Sequence, residues 1–271
     1  MFALPRPPAE RLEIAGATYR LVRVFKHDFW AATCMYEREE NAGETPAIPP
    51  DKIVVKIGRV QPFCGFHLAW VGAWLRANEQ AAYRLLAGVP GVPRWVGSFG
   101  ATGYAVEYID GLALDRAGPP PPGFFDRLRG LFEQVHARGI AYTDSNKRSN
   151  ILVGPGGAPY LVDYQISVRR RDDLPWPLRA IVAAVVRYLQ RKDLYHLYKH
   201  KRRLAPRELS PDEDALSRER GGMHAFHRWF TKGYRALRRR FLREQHRKGA
   251  LASPTADLED YDLPEKDSWR K

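Results

Sequence analysis

The sequence predicts an α+β protein with two lobes, a small lobe of five strands and one helix followed by a larger, mainly helical lobe. Up to residue 109, short runs rich in β-branched and aromatic residues alternate with turn-forming residues, which is typical of strands. A proline run at 119–122 marks a transition, and beyond it apolar residues recur mainly at helical spacing. A hydrophobic content of 44% in 271 residues is enough to form a core.

The chain is predicted to consist of a proline-containing arm (1–18), the small lobe (19–109), the helical lobe (110–250) and an acidic tail (251–271) that we expect to be mobile. The predicted strands of the small lobe cover 19–25, 29–36, 53–57, 95–99 and 104–109, and its helix covers 75–86. In the helical lobe, helices are predicted at 124–138, 178–198 and 223–246, with a β-hairpin formed by 151–153 and 160–162.

Cysteine usage and hydropathy favour a cytoplasmic protein. Cys34 and Cys64 are too few for a disulfide framework and lack the paired spacing of a zinc site. The N-terminus has no apolar segment of a secretory signal, and the longest apolar stretch, 178–189, is too short to span a bilayer. A formal net charge of +13 indicates an anionic partner. Nucleic acid is not expected, because no zinc-finger or RNP framework accompanies the arginines.

A lysine and a glutamate lie on consecutive elements of the predicted small lobe. Lys56 stands near the end of the apolar strand 53–57, where an ammonium group is costly unless it meets an anion. Glu79, on the following helix, could supply that anion. A lysine at a strand end is more often a surface residue with its charge in water, so both interpretations stay open at this point.

Three polar residues flank the predicted hairpin. Asp144 and Asn150 lie in the loop before its first strand, and Asp163 follows its second strand. Because the two strands of a hairpin run antiparallel, these side chains are expected at one end of it. Carboxylate and amide oxygens suit Mg²⁺, although Asp and Asn also commonly cap turns. We favour the metal site over the turn caps.

This ordered set of residues resembles the protein-kinase-like folds, nearer to the RIO and lipopolysaccharide (Kdo/heptose) kinase group than to eukaryotic protein kinases. Ile53-Val54-Val55-Lys56 stands where V-A-I-K is found, and Asp163-Tyr164-Gln165 where D-F-G is found. The segment 106–111, with Glu107 and Tyr108, resembles the hinge that binds adenine. The resemblance covers roughly residues 19–168 and implies a bilobal kinase-like fold that binds ATP and Mg²⁺.

The resemblance also implies a role for each residue of the set. Lys56, oriented by Glu79, would hold the α- and β-phosphates of ATP. Asn150 and Asp163 would bind Mg²⁺. Asp144 would act as the catalytic base or position the attacking hydroxyl.

The chain departs from the kinase pattern in three places. The loop expected to cover the nucleotide, at 25–33, contains no glycine. Asn150 lies six residues after Asp144 where five is usual, so one extra residue must be looped out. Lys147, inside this loop, is expected either to approach the γ-phosphate or to lie in solvent. No A-P-E sequence follows Asp163, so a long activation segment is not expected.

We therefore expect an ATP- and Mg²⁺-dependent phosphotransferase that acts on a hydroxyl. The favoured acceptor is a lipopolysaccharide-type sugar or another anionic glycolipid at the cytoplasmic face of the membrane. A RIO-like serine/threonine protein kinase is the first alternative, and a nucleotide-binding pseudokinase is the second. The residues expected to hold the protein on an anionic membrane are Arg187, Arg191, Lys199, Lys201, Arg202 and Arg203.

The predicted helix 178–198 allows two interpretations. Its apolar positions, which include Ile181 and Val185, outline one face, and arginines occupy others. The favoured interpretation is that the apolar face packs on the helical lobe; the alternative is that the helix rests on a membrane.

Overall fold

A computed structural model describes residues 3–39, 49–62 and 69–219 of the chain. These residues form two compact units. The first contains the described residues up to Trp74 together with Val96–Val106, and the second contains Leu75–Trp95 and Glu107–Glu219. The predicted helix at 223–246 and the predicted tail at 251–271 lie outside the described residues.

One sheet forms most of the first unit, and its strands at 31–38 and 52–58 largely alternate buried and half-buried side chains, as the period of two of a strand requires. Tyr19, Val24, Tyr36, Ile53 and Val55 are fully buried in its core. Its six strands are β1 (Arg11–Ile14), β2 (Ala17–His27), β3 (Ala31–Arg38), β4 (Lys52–Gly58), β5 (Trp95–Phe99) and β6 (Gly103–Glu107). They lie in the order β1-β2-β3-β4-β6-β5, and the pairs β1–β2, β2–β3 and β3–β4 are antiparallel.

The sheet has one strand more than the sequence predicts, because β1 lies in the segment predicted as an arm. β1 pairs with the first residues of β2, with Arg11 opposite Arg20 and Ile14 opposite Ala17. The residues before it are also in place, since the amide of Ala3 donates to the carbonyl oxygen of Asp28 at 2.8 Å. Residues 11–14 of the predicted arm are therefore a strand of the sheet.

Helix α1 (Ala69–Leu85) follows the sheet strand β4 and begins six residues before the predicted start at Leu75. Its first turns were not recognisable from the apolar pattern because Trp70 and Trp74 are exposed, at 68% and 62%. Farther along, Glu79, Ala82 and Tyr83 are buried.

The second unit is mainly helical, as predicted. Helix α2 (Phe124–Ala137) buries residues at helical spacing, among them Phe124, Leu128 and Val135. The other helices are α3 (Leu178–Leu204) and α4 (Pro211–Arg218). The short strands are β7 (Leu112–Ala113), β8 (Ile140–Ala141), β9 (Ile151–Val153), β10 (Pro159–Leu161) and β11 (Val168–Arg169).

The predicted hairpin is formed by β9 and β10, with Ile151 opposite Leu161. Strand β7 adds to its other edge, with Leu112 opposite Val153, and β11 pairs separately with β8. The α+β class is thus confirmed. The domain boundaries given above stay predictions.

One prediction about α3 holds only in part, and another is wrong. The apolar face of its N-terminal half is packed only in part, since Val186 is buried whereas Ile181 and Val185 are 56% and 45% exposed. Lys201 does not lie on a basic surface, because its ammonium bonds Asp126 at 2.8 Å and Glu213 at 2.9 Å, and its side chain is only 3% exposed. Within the described residues, no helix is long and apolar enough to cross a membrane.

Candidate active site

Asp144 lies in the loop between β8 and β9 and is the centre of a small hydrogen-bond cluster. Its Oδ2 accepts from the side-chain amide of Asn150 at 2.8 Å and from the ammonium of Lys147 at 2.7 Å. The extra residue between Asp144 and Asn150 is absorbed by a 3₁₀ turn at Arg148–Asn150, in which the amide of Asn150 bonds the carbonyl of Lys147. The longer spacing therefore leaves the Asp144–Asn150 contact intact.

The pKa of Asp144 is raised above its usual value. Burial is the largest cause, and the negative charge of Asp163 acts in the same direction. The hydrogen bond and the positive charge of Lys147 act in the opposite direction, as does the hydrogen bond from Asn150. A carboxylate with a raised pKa is a stronger proton acceptor, which suits a general base.

Asp163 lies at the same end of the hairpin as Asn150. The carbonyl of Asn150 accepts from the amide of Val162 at 3.1 Å, directly before Asp163. Asp163 has a φ of 65°, a left-handed conformation in which Asp is several-fold enriched over other non-glycine residues. Such backbone strain clusters at functional sites, and here it lies next to the loop that carries Asp144.

The donor atoms at this end of the hairpin fit Mg²⁺. Since the Asn150 nitrogen is bonded to Asp144, its oxygen Oδ1, which accepts from the hydroxyl of Ser149 at 3.4 Å, is the atom that could bind a metal. An amide oxygen and a carboxylate are hard oxygen ligands, and Mg²⁺ usually takes one or two such protein ligands and completes its shell with phosphate and water. In the described part of the chain, no cluster of three or more His, Cys, Asp and Glu residues forms a metal site from protein ligands alone.

Helix α1 positions the segment that follows Asp163. Glu79 is 1% exposed, and its carboxylate accepts from the backbone amide of Tyr164 at 3.1 Å. One residue earlier, the side-chain amide of Asn78 donates to the carbonyls of Gln165 and Ser167. Glu79 was predicted to orient Lys56; the bond to Tyr164 gives it a further structural role that the sequence did not indicate.

A row of aromatic rings supports the same segment from within the second unit. Tyr164 is fully buried, and its ring lies 5.2 Å from that of Tyr83 and 5.0 Å from that of Tyr142. The hydroxyl of Tyr142 donates to the carbonyl of Val162. The loop of Asp144 and the residues around Asp163 are thus joined through one packed cluster.

Lys56 lies on β4, in the first unit, opposite Thr33 of β3. Its side chain is half-buried. Its expected contact with phosphate, and its pairing with Glu79, stay predictions.

The turn between β2 and β3, predicted to cover the nucleotide, is tied down within the first unit. Oδ1 of Asp28 accepts from the amides of Trp30 and Ala31 at 2.7 and 2.9 Å. The buried guanidinium of Arg59 stacks on the ring of Phe29 at 4.0 Å and donates to its carbonyl at 2.9 Å. In a glycine-rich loop the backbone amides are available to bind phosphates. Here the amides of Trp30 and Ala31 are bonded to the side chain of Asp28.

The predicted hinge residues lead into β7, which pairs with the edge of the hairpin. Glu107 ends β6, its amide bonds the carbonyl of Arg94 at 2.8 Å, and both Glu107 and Tyr108 are half-buried. Gly111 approaches Val153 so closely that a Cβ there would lie 2.8 Å from its carbonyl oxygen, which explains a glycine at this position. The contact of Glu107 and Tyr108 with adenine stays a prediction.

A fully buried carboxylate on α3, Asp193, was not among the predicted site residues. Its oxygens accept from the amides of Tyr142 and Thr143 at 2.8 and 2.9 Å and from the hydroxyl of Ser145 at 3.0 Å. A signal was present, because Asp193 follows Val186 by seven residues and precedes Leu197 by four, which places the carboxylate on the buried face of the helix.

The next turns of α3 hold the same loop. His200 is buried, and its Nε2 lies 2.9 Å from the carbonyl oxygen of Ser145. Lys199, predicted as part of a membrane-binding surface, donates to the side chain of Asn146 at 3.4 Å. Helix α3 therefore contacts three of the four residues from Thr143 to Asn146 through side chains of its own.

The chain matches no protein-family model and no curated protein sequence. It is similar to the solved structure of the Rio2 kinase from Chaetomium thermophilum, at 14% sequence identity over 72% of this chain and 61% of that one, with a TM-score of 0.49. The Rio2 kinase–ADP/Mg²⁺–phosphoaspartate complex from the same organism gives 14% identity, coverage of 70% and 58%, and a TM-score of 0.48. The chain spans about 60% of the length of these two structures.

Proposed function

We propose that the chain is an ATP- and Mg²⁺-dependent phosphotransferase that acts on a hydroxyl group. The observation that supports this best is the contact of Asp144 with Asn150 beside Asp163. A buried carboxylate with a raised pKa, an amide oxygen and a second carboxylate are the groups that phosphoryl transfer requires at the metal and at the acceptor.

Asn150 and Asp163 would hold Mg²⁺, which supplies charge neutralisation on the phosphates of ATP. Asp144 then positions the acceptor hydroxyl. Both contacts of Asp144 with Asn150 and Lys147 use Oδ2, so we assign the hydroxyl to Oδ1. Lys147 neutralises part of the charge of Asp144, and Asp193 fixes the loop on which both residues lie.

A pseudokinase is the alternative from another functional class. The bonded amides of the β2–β3 turn favour it, because they remove donors that kinases direct at phosphates. The retained Asp144–Asn150 contact favours catalysis, since a scaffold without activity does not need a base positioned beside a metal ligand. We give the second observation more weight because the extra loop residue is accommodated without loss of that contact.

For the acceptor, we propose a sugar hydroxyl of an anionic glycolipid, with a serine or threonine of a protein as the alternative. The net charge of +13 supports an anionic acceptor, and exposed arginines on α3 lie in the unit that carries Asp144. Both acceptor classes present the same nucleophile, so the site geometry is compatible with either.

The test is incubation of the full chain with γ-labelled ATP and Mg²⁺ together with fractionated membrane lipid and, separately, total protein. We expect transfer of label to the lipid fraction in the wild type and loss of transfer in Asp163→Ala. Asp172→Ala is the matched control, because Asp172 is an exposed carboxylate paired only with Arg170 in the bonds described. Labelling of protein alone would favour the serine/threonine protein kinase. Mg²⁺-dependent ATP binding without any transfer of label would favour the pseudokinase.

A further inference from the structure

The first turns of α3, together with Trp176 two residues before the helix, expose four large apolar side chains. Trp176 is 76% exposed, Leu178 51%, Ile181 56% and Val185 45%. Leu178, Ile181 and Val185 are spaced by three and four residues, so they lie along one face of the helix. We call these four residues the α3 ridge.

The chemistry around the α3 ridge is cationic. Arg179, Arg187 and Arg191 are exposed on the same helix, and of these Arg191 also lies 3.7 Å from the carboxylate of Glu219. The sequence has no acidic residue from Leu174 to Lys192. The nearest acids before the ridge, Asp172 and Asp173, are paired with Arg170 and Arg171 at 3.1 and 2.7 Å.

We propose that the α3 ridge docks on the surface of an anionic membrane. An interfacial helix of this kind inserts apolar and aromatic side chains at the level of the head groups while its basic residues bind anionic lipid. Tryptophan at the helix start fits this arrangement, because its amphipathic ring prefers the membrane–water interface. The surface lies outside the proposed catalytic residues, so the two proposals stand independently.

Charge complementarity selects lipid over the other possible occupants. An apolar face that binds a second copy of this chain would bring the exposed arginines of two basic molecules together, which is unfavourable at a net charge of +13. An anionic membrane instead binds the apolar residues and the arginines at once. The surface shares Arg187 and Arg191 with the one predicted from the sequence but excludes Lys201, which is buried, and Arg202, which bonds Ser217 at 2.8 Å.

The test is co-sedimentation of the full chain with vesicles of phosphatidylcholine alone and with vesicles containing phosphatidylglycerol. We expect binding to the second kind only, weakened as the salt concentration rises. Val185→Asp and Ile181→Asp should each weaken binding about tenfold or more, because they place a carboxylate where the helix enters the interface. Val22→Asp is the matched control: Val22 lies on β2 with an exposure of 46%, against 45% for Val185, and this variant should bind as the wild type does.

Three outcomes would overturn the proposal. One is a wild type that ignores phosphatidylglycerol vesicles at low salt, and another is equal loss of binding in Val22→Asp and Val185→Asp. The third is a different occupant: a dimer in sedimentation that Val185→Asp dissociates, or protection of a cysteine placed at Val185 from thiol reagents by residues 220–271. Asp163→Ala should bind vesicles normally, which separates failure of this proposal from failure of the catalytic one.

Discussion

The carboxylate of Asp193 accepts a hydrogen bond from the backbone amide of Tyr142 at 2.8 Å, and this contact joins helix α3 to the loop of Asp144. The same side chain also bonds the amide of Thr143, which has a φ of 68°. A left-handed threonine is strained, so the loop keeps this conformation only because the surrounding contacts fix it. Asp193 is therefore a positioning residue for the proposed base.

Asp193→Asn should damage both stability and turnover. An amide has only one acceptor oxygen. Its NH₂ group would therefore take the place of the second carboxylate oxygen and face buried donors that now bond that oxygen. We expect a loss of about 3 kcal/mol in the free energy of unfolding and a loss of about 10²-fold in turnover through displacement of the loop. Chemical denaturation and phosphoryl-transfer assays measure the two effects.

Asp172→Asn is the control, because Asp172 is exposed and bonds Arg170 at the surface. A turnover in Asp193→Asn equal to that of the control would show that Asp193 does not position the loop. Nucleotide affinity should change only a few-fold in both variants, since Asp193 acts through the acceptor side of the site.

Elements formed by one uninterrupted stretch of suitable residues could be predicted from the sequence. Strand β5 and helix α2 were placed within a residue of their bounds. Strand β7 and strand β8 have two residues each and form only through pairing with distant strands, so no local pattern could indicate them. Helix α4 was missed although its signal is local: Ser210 and Glu213 form a capping box, and Pro211 begins the helix.

In the candidate site, the order of the polar residues along the chain predicted which of them lie together. Their contacts with distant elements could not be predicted from the sequence. The hairpin predicts that Asn150 and Asp163 lie at one end, because antiparallel pairing follows from two apolar runs and a glycine turn. The contact of Glu79 with the amide of Tyr164 could not be predicted, since it depends on how α1 packs against a segment 85 residues away. Burial of Lys201 was hidden for the same reason, as its partners come from α2 and α4.

Lys201→Gln should destabilise the protein rather than weaken lipid binding. It leaves the carboxylate of Glu213, whose side chain is 12% exposed, without its cation. We expect a loss of about 3 kcal/mol in the free energy of unfolding, since removal of one partner from a buried ion pair leaves an uncompensated charge. Denaturant titration checks this.

Arg203→Gln is the control for Lys201→Gln, because Arg203 is an exposed cation two residues away. Its effect on unfolding should stay within about 0.5 kcal/mol. Equal stability of the two variants would contradict the buried ion-pair assignment.

His200 should make stability depend on pH. Burial lowers its pKa to about 4, while the ordinary value is 6.5. The unfolded chain therefore binds a proton that the folded chain does not between these values, so stability falls as pH decreases from 7 towards 4. Between pH 7 and pH 5 this amounts to about 2 kcal/mol, and His200→Gln should lack this component. Parallel denaturation curves at the two pH values would show it; an identical pH slope in both proteins contradicts it.

Asp144→Asn should abolish most turnover and leave nucleotide binding nearly intact. The substitution keeps the shape of the side chain but removes its basicity, so we expect turnover to fall by about 10²- to 10⁴-fold. Affinity for MgATP should stay within a few-fold, because positioning of the hydroxyl acts mainly in the transition state. Steady-state kinetics and nucleotide titration of the same preparation separate the two effects. Full activity in the variant would assign the base elsewhere.

The contact of Lys147 with Asp144 gives a pH test of the same residue. Burial raises the pKa of Asp144, and Lys147 opposes this rise through its hydrogen bond and its charge. Lys147→Met removes the opposition, so the pKa rises further and a base that must be unprotonated becomes active only at higher pH. The acidic limb of the pH profile of kcat/KM should therefore move to higher pH in Lys147→Met and stay in place in Arg203→Gln, which removes an exposed cation elsewhere in the second unit. A limb that stays fixed in Lys147→Met, or moves to lower pH, would mean that Asp144 is not the titrating base.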